Sequence, residues 1–137
     1  MELKDKKIVF LGDSITQGCN ASEPGNYYWN LVAKDTGAVS YGYGIGGTRI
    51  APQRIPSEDP VYDRYFISRV DEMIPDADII VVFGGTNDYG HGDAPLGLPD
   101  DKTPYTFHGA CNLLCEMLIE RFPRSQIVFM GPLHRLG

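Results

Sequence analysis

Three short stretches of the chain are apolar without polar alternation: Lys7-Ile8-Val9-Phe10-Leu11, Asp78-Ile79-Ile80-Val81-Val82-Phe83 and Gln126-Ile127-Val128-Phe129-Met130. Each is rich in β-branched or aromatic residues and stops at a glycine. Strands covered on both faces read this way, so the pattern predicts a parallel sheet with helices on either side. A weaker fourth run, Ala38-Val39-Ser40-Tyr41-Gly42-Tyr43, lies between the first two. Helical spacing fills the intervals. Residues 28–36 predict a helix stopped by Gly37. Residues 62–73 predict another, with Tyr62, Tyr65, Phe66, Arg69, Val70 and Met73 on one face and Pro75 just beyond. The strongest helical pattern runs from Thr106 to Phe122. There Phe107, Ala110, Cys111, Leu114, Cys115, Leu118 and Phe122 make a core-facing stripe.

Strand and helix therefore alternate, which predicts one α/β domain over residues 1–137. Its expected form is a three-layer, doubly wound parallel sheet with right-handed crossovers. The Pro- and Gly-rich stretch from Gly90 to Pro104 reads as a long loop inside that domain, because helical spacing resumes after it. Loops of that length in compact domains are usually functional.

Composition narrows the classes of function. Apolar residues at 42% and charged residues at 22% suit a globular protein with a real core. The net charge of −6, without a basic block, argues against nucleic acid or an anionic membrane surface as partner. No apolar run approaches the roughly 20 residues of a membrane span. The start, Met1-Glu2-Leu3-Lys4-Asp5-Lys6-Lys7, carries no export signal, and three cysteines make no disulfide framework. Cytoplasm is the expected location. No His, Cys or carboxylate cluster has metal-ligand spacing, so neither metal nor cofactor is expected.

Ligands of open α/β sheets bind beyond the carboxyl ends of the strands. The residues found there are Gly12-Asp13-Ser14-Ile15-Thr16, Gly44-Ile45-Gly46-Gly47-Thr48, Gly84-Gly85-Thr86-Asn87-Asp88 and Gly131-Pro132-Leu133-His134-Arg135. Glycine beside a small hydroxyl or amide residue brings backbone N–H groups and one short side chain to a common point. A serine between strand and helix, near such donors, suits acyl transfer, because the donors can hold a developing oxyanion. What the arrangement still needs is a base to activate the serine.

Gly12-Asp13-Ser14-Ile15-Thr16 resembles the first block of the SGNH (GDSL-like) hydrolases. Gly46-Gly47-Thr48 is similar to their second block, and Gly85-Thr86-Asn87-Asp88 to their third. Order and spacing fit as well. The resemblance implies a serine ester hydrolase acting on a small-molecule ester, with Ser14 as nucleophile and backbone oxyanion donor. It makes Gly47 the second donor, with Gly46 as the alternative register, and Asn87 the side-chain donor. Asp13, Gly46 and His134 complete the expected site on the substrate side. The family's fourth block, an Asp and a His three residues apart, does not occur at the C-terminal end of this sequence. The expectation is a chain lacking the last strand, the last helix and the catalytic base. Such a chain would be inactive alone, and its open sheet edge would be covered by self-association or by a C-terminal fragment.

Other readings stand beside these. Ser14 alone could be a helix cap, and Asn87 with Asp88 a turn. Asp88 is expected to orient its loop. The Asp88/His91 pair copies the spacing of the missing block but follows the wrong strand, so His91 is not expected to act as base. His108 is expected to be exposed. Cys111 and Cys115 are expected to pack in the core, and Cys19 to be exposed. Tyr27, Tyr28 and Trp29 could stack on a sugar or anchor the first helix. A flavodoxin-like module binding phosphate at Gly12 to Gly18 is the alternative from another class.

Overall fold

The structure, a computed structural model, describes residues 2–133. Four parallel strands are ordered β2-β1-β3-β4: β1 is Lys7–Gly12, β2 Val39–Gly44, β3 Ile79–Phe83 and β4 Gln126–Met130. The register pairs Gly12 with both Gly44 and Phe83, so the carboxyl ends of β1, β2 and β3 lie level. Helix α1, Ser14–Gln17, follows β1; α2, Tyr28–Thr36, leads to β2. Helix α3, Thr86–His91, follows β3, and α4, Phe107–Arg121, leads to β4. This is the doubly wound α/β architecture that the apolar runs predict.

Alternation along the central strands explains the layers. Ile8, Phe10, Ile79 and Val81 face one side, where Tyr28, Trp29 and Val32 of α2 cover them. Val9, Leu11, Ile80 and Val82 face the other, against Ala110, Leu114 and Leu118 of α4 and against Phe66 and Val70. From Ile8 to Leu11 in β1 and from Ile79 to Phe83 in β3 every residue is thus apolar, because both faces of these strands are buried.

Two expectations need correction. Residues 62–73 are not one α-helix but two 3-10 segments, Pro60–Asp63 and Phe66–Glu72. Tertiary bonds split the run: the Phe66 N–H donates to the Arg49 carbonyl at 3.0 Å, and the Asp63 carboxylate accepts from the Ser57 N–H and hydroxyl. The stretch after β3 is also not loop from Gly90 onward, since α3 continues through His91. The loop that follows is tied down. Asp93 accepts from the Arg54 and Ile55 N–H groups, and Asp101 from the Leu98 N–H and the Thr106 hydroxyl.

Strand β4 ends the sheet on one side among the described residues. Among the described residues it pairs only with β3, and Val128, Phe129 and Met130 remain 37–40% exposed. Among the same residues, no helix is long and apolar enough to cross a membrane.

Candidate active site

The first strand-to-helix turn is built by Asp13. Its carboxylate accepts from the Ile15 N–H at 3.0 Å and caps α1, which leaves Ser14 as the first helical residue. Asp13 is only 1% exposed, and burial pushes its carboxyl above the usual carboxylate range. This corrects its expected place on the substrate side: it holds the turn from beneath. Below the turn, the Thr16 hydroxyl bonds the Tyr28 hydroxyl, and the Trp29 indole N–H donates to the Thr16 carbonyl at 2.8 Å. Those bonds decide the open question about the aromatic residues. Tyr28 and Trp29 anchor α2 to the serine turn. Gly44, at the end of β2, permits the close approach, because a side chain there would run into the Gln17 backbone.

Ser14 opens on a cleft of about 710 Å3, lined also by Gly46, Gly47, Arg49, Tyr62 and His91. That volume lies within the range of small-molecule sites. Gly47 takes φ of +74°, a left-handed conformation that favours glycine. The Gly46 N–H donates to the Gln17 side-chain oxygen at 2.7 Å. That donor is therefore already occupied.

Asn87 is 8% exposed, in the first turn of α3. Its amide donates to the Thr48 carbonyl at 2.8 Å, which fastens the third turn to the second. The Asp88 carboxylate accepts from the Ile50 and Ala51 N–H groups, each at 3.0 Å. It therefore orients the loop after Gly46-Gly47-Thr48 and makes no dyad with His91. Burial raises the Asp88 carboxyl as well.

His91 lies closer to this chemistry than its spacing suggested. Its Nε2 stands 3.2 Å from Asn87 Oδ1, and its Nδ1 2.9 Å from the Arg49 guanidinium. Both ring nitrogens are engaged, so neither is available to take a proton from Ser14. His108 is half-buried rather than exposed, with its ring edge-on to Phe107. His134 lies outside the described residues.

Two buried arginines escaped the reading of the sequence. Arg49 is 4% exposed and bonds His91, Ser57, Asp63 and the Tyr62 carbonyl. Arg69 is 1% exposed and donates to the Tyr43 and Gly12 carbonyls and the Thr48 hydroxyl. It thereby ties the ends of β1 and β2 to the second-block turn. Burial lowers its pKa to about 10. The signal for Arg49 was its place directly after Gly46-Gly47-Thr48; that for Arg69 was a cation on an apolar stripe.

Cys19 is exposed, as expected, whereas Cys111 and Cys115 are half-buried. Burial pushes the Cys111 thiol up to about 12, which keeps it protonated and unreactive. No group of His, Cys, Asp and Glu among the described residues could hold a metal ion.

A serine at the first strand end, glycines at the second and a buried asparagine at the third thus lie together at the carboxyl ends of the sheet. The chain matches the GDSL-like lipase/acylhydrolase family over residues 10–137, and it belongs to that family. Among solved structures it is similar to a Lactobacillus plantarum protein, with 34% identity, a TM-score of 0.78, and coverage of 98% of this chain and 59% of that one. A Bacteroides ovatus protein assigned as a GDSL-like lipase shares 26% identity at a TM-score of 0.78, over 94% of this chain and 73% of that one. A family two carbohydrate esterase from Clostridium thermocellum, solved with cellohexaose, shares the fold at 21% identity and a TM-score of 0.63. That match covers 100% of this chain and 46% of the esterase. No curated protein matches the chain. The chain spans 59% of the length of the first two solved structures it matches.

Proposed function

We propose that this chain carries the nucleophile and oxyanion hole of a serine esterase for short acyl esters, including those borne on carbohydrate. Ser14 Oγ attacks the ester carbonyl carbon, and the carbonyl π pair moves onto oxygen. The N–H groups of Ser14 and Gly47 and the Asn87 amide receive that negative charge. Collapse of the tetrahedral intermediate breaks the bond to the alcohol oxygen. A base takes the Ser14 proton and returns it to the departing alcohol, and water then releases the acid by the same steps. No cofactor takes part. The observation that carries this reading is the joining of the three turns: Ser14 shares a cleft with Gly46 and Gly47, and Asn87 is bonded to the residue after Gly47.

The base is proposed to lie outside the described residues, because both nitrogens of the nearby His91 are engaged. The 137 residues alone should therefore turn over p-nitrophenyl acetate negligibly at neutral pH. Robust turnover that disappears in His91→Ala would contradict this. Taken alone, the chain is also proposed to pair with a second copy along β4, whose apolar residues are exposed at an edge left open among the described residues. A stable 15.2 kDa monomer in size-exclusion chromatography would refute that pairing. The catalytic reading itself is tested by treating the full-length protein with a fluorophosphonate and mapping the adduct by mass spectrometry. One adduct, on Ser14, is expected. Failure to label, or labelling elsewhere only, would overturn the assignment.

A further inference from the structure

We infer that His91 and Arg49 are positioning residues that fix which way the Asn87 amide points. The inference rests on the acyl-transfer reading of Ser14 and Asn87. A carboxamide can rotate by half a turn and exchange its oxygen and nitrogen with little change in shape, so only its hydrogen-bond partners decide its direction. An oxyanion needs the nitrogen end. The structure decides the direction from both sides.

On one side stands Arg49, whose guanidinium has donors and no acceptor. Its Nη1 lies 2.9 Å from His91 Nδ1, so Nδ1 must carry the lone pair and Nε2 the proton. His91 Nε2–H then donates to Asn87 Oδ1 at 3.2 Å. On the other side stands the Thr48 carbonyl, which only accepts, and which takes an N–H from Asn87 Nδ2 at 2.8 Å. The chain of donors runs one way only, from Arg49 through His91 and Asn87 to Thr48. It leaves the second Asn87 N–H without a partner among the described residues, free for the oxyanion. A protonated imidazole would have no lone pair for Arg49, so the arrangement needs the neutral ring.

Arg49 is itself immobilised. Nη2 donates to Ser57 and the Tyr62 carbonyl and pairs with Asp63 at 3.5 Å, and the side chain is 4% exposed. His91 sits one helical turn after Asn87 on α3, which sets the two side chains side by side. The separations of 42 residues between Arg49 and His91, and of 39 between Thr48 and Asn87, place the orientation in the tertiary structure.

The test uses the full-length protein with p-nitrophenyl acetate, and Ser14→Ala as the control for the reading beneath. His91→Ala is expected to lower kcat by roughly 10- to 100-fold with KM little changed, the scale set by misplacing one group near the reaction. His91→Gln keeps one donor and one acceptor and is expected to recover most of that loss. Long-range 15N–1H correlation is expected to show the wild-type ring protonated at Nε2 and bare at Nδ1. If Ser14→Ala is dead while His91→Ala keeps wild-type kcat, the positioning role is wrong and the esterase reading stands. A loss in His91→Ala without recovery in His91→Gln, or a ring protonated at Nδ1, would also overturn the positioning role. If Ser14→Ala keeps full turnover, the reading beneath has failed instead.

Discussion

The two sides of the central strands and the space above their carboxyl ends are built on opposite principles. Beside the strands everything buried is apolar: Val9, Leu11, Ile80 and Val82 against α4, Ile8 and Phe10 against α2. The buried polar side chains among the described residues are Asp13, Thr16, Thr48, Arg49, Arg69 and Asn87, and they gather at the strand ends. Apolar burial is non-directional and decides only that the layers come together. The polar group is held by directional bonds, and each bond decides where a donor points. The fold therefore has wide latitude in which hydrophobe fills which place, whereas the site has little.

Removing a large core side chain should give the greatest loss of stability with the least specific loss of chemistry. Phe66→Ala, at a fully buried position, is expected to cost about 3–5 kcal/mol in denaturant unfolding. A cost under about 1 kcal/mol would show that the second layer is not set by this packing. Asn87→Ala in the full-length protein should act the other way, lowering kcat about 10²–10³-fold with KM little changed. A pure KM effect would move Asn87 from the oxyanion to substrate binding.

A smaller effect is expected from Asp88→Ala, which leaves the Ile50 and Ala51 N–H groups unpaired and should cost about 1–3 kcal/mol. An unchanged unfolding midpoint would show that those bonds do not hold the second-block loop. The last prediction involves no substitution. Burial raises the Asp13 and Asp88 carboxyls, whereas hydrogen bonds lower Asp93 and Asp101. Carboxyl 13C titration should accordingly find the first pair protonating at higher pH than the second. The sign for stability follows. For Asp13 and Asp88 the folded state favours the protonated form, so their contribution is fully present below the ordinary Asp value and is lost as pH rises through the raised one. For Asp93 and Asp101 it is present above the ordinary value and is lost as pH falls through the lowered one. The reverse order in the titration would mean that the buried carboxylates are paired with the arginines more closely than they lie here.

The same division explains what could be read from the sequence. β1 and β3 were legible because burial on both faces leaves Ile8 to Leu11 and Ile79 to Phe83 without a polar residue, and α4 because its stripe survives as Ala110, Leu114 and Leu118. The positions of Ser14, Gly47 and Asn87 at the strand ends were legible because each follows its strand within a few residues. The bonds of Arg49, Arg69 and His91 were not, since Arg49 meets His91 across 42 residues and Arg69 reaches Tyr43, Thr48 and Gly12 across 21 to 57. Asp13 was misplaced for a related reason. A carboxylate beside a nucleophile suggests contact with substrate, and only the Ile15 N–H shows that it faces inward. Residues 62–73 failed as a helix because Asp63 and Phe66 are bonded to residues 57 and 49.

The central claim is that Ser14 is the group the polar cluster exists to serve. It is tested most directly by kcat and thermal unfolding measured together for Ser14→Ala in the full-length protein. The expected result is loss of p-nitrophenyl acetate hydrolysis to background with an unfolding temperature close to wild type, since a half-buried hydroxyl adds little to packing. Wild-type turnover in a folded Ser14→Ala protein would contradict the claim outright.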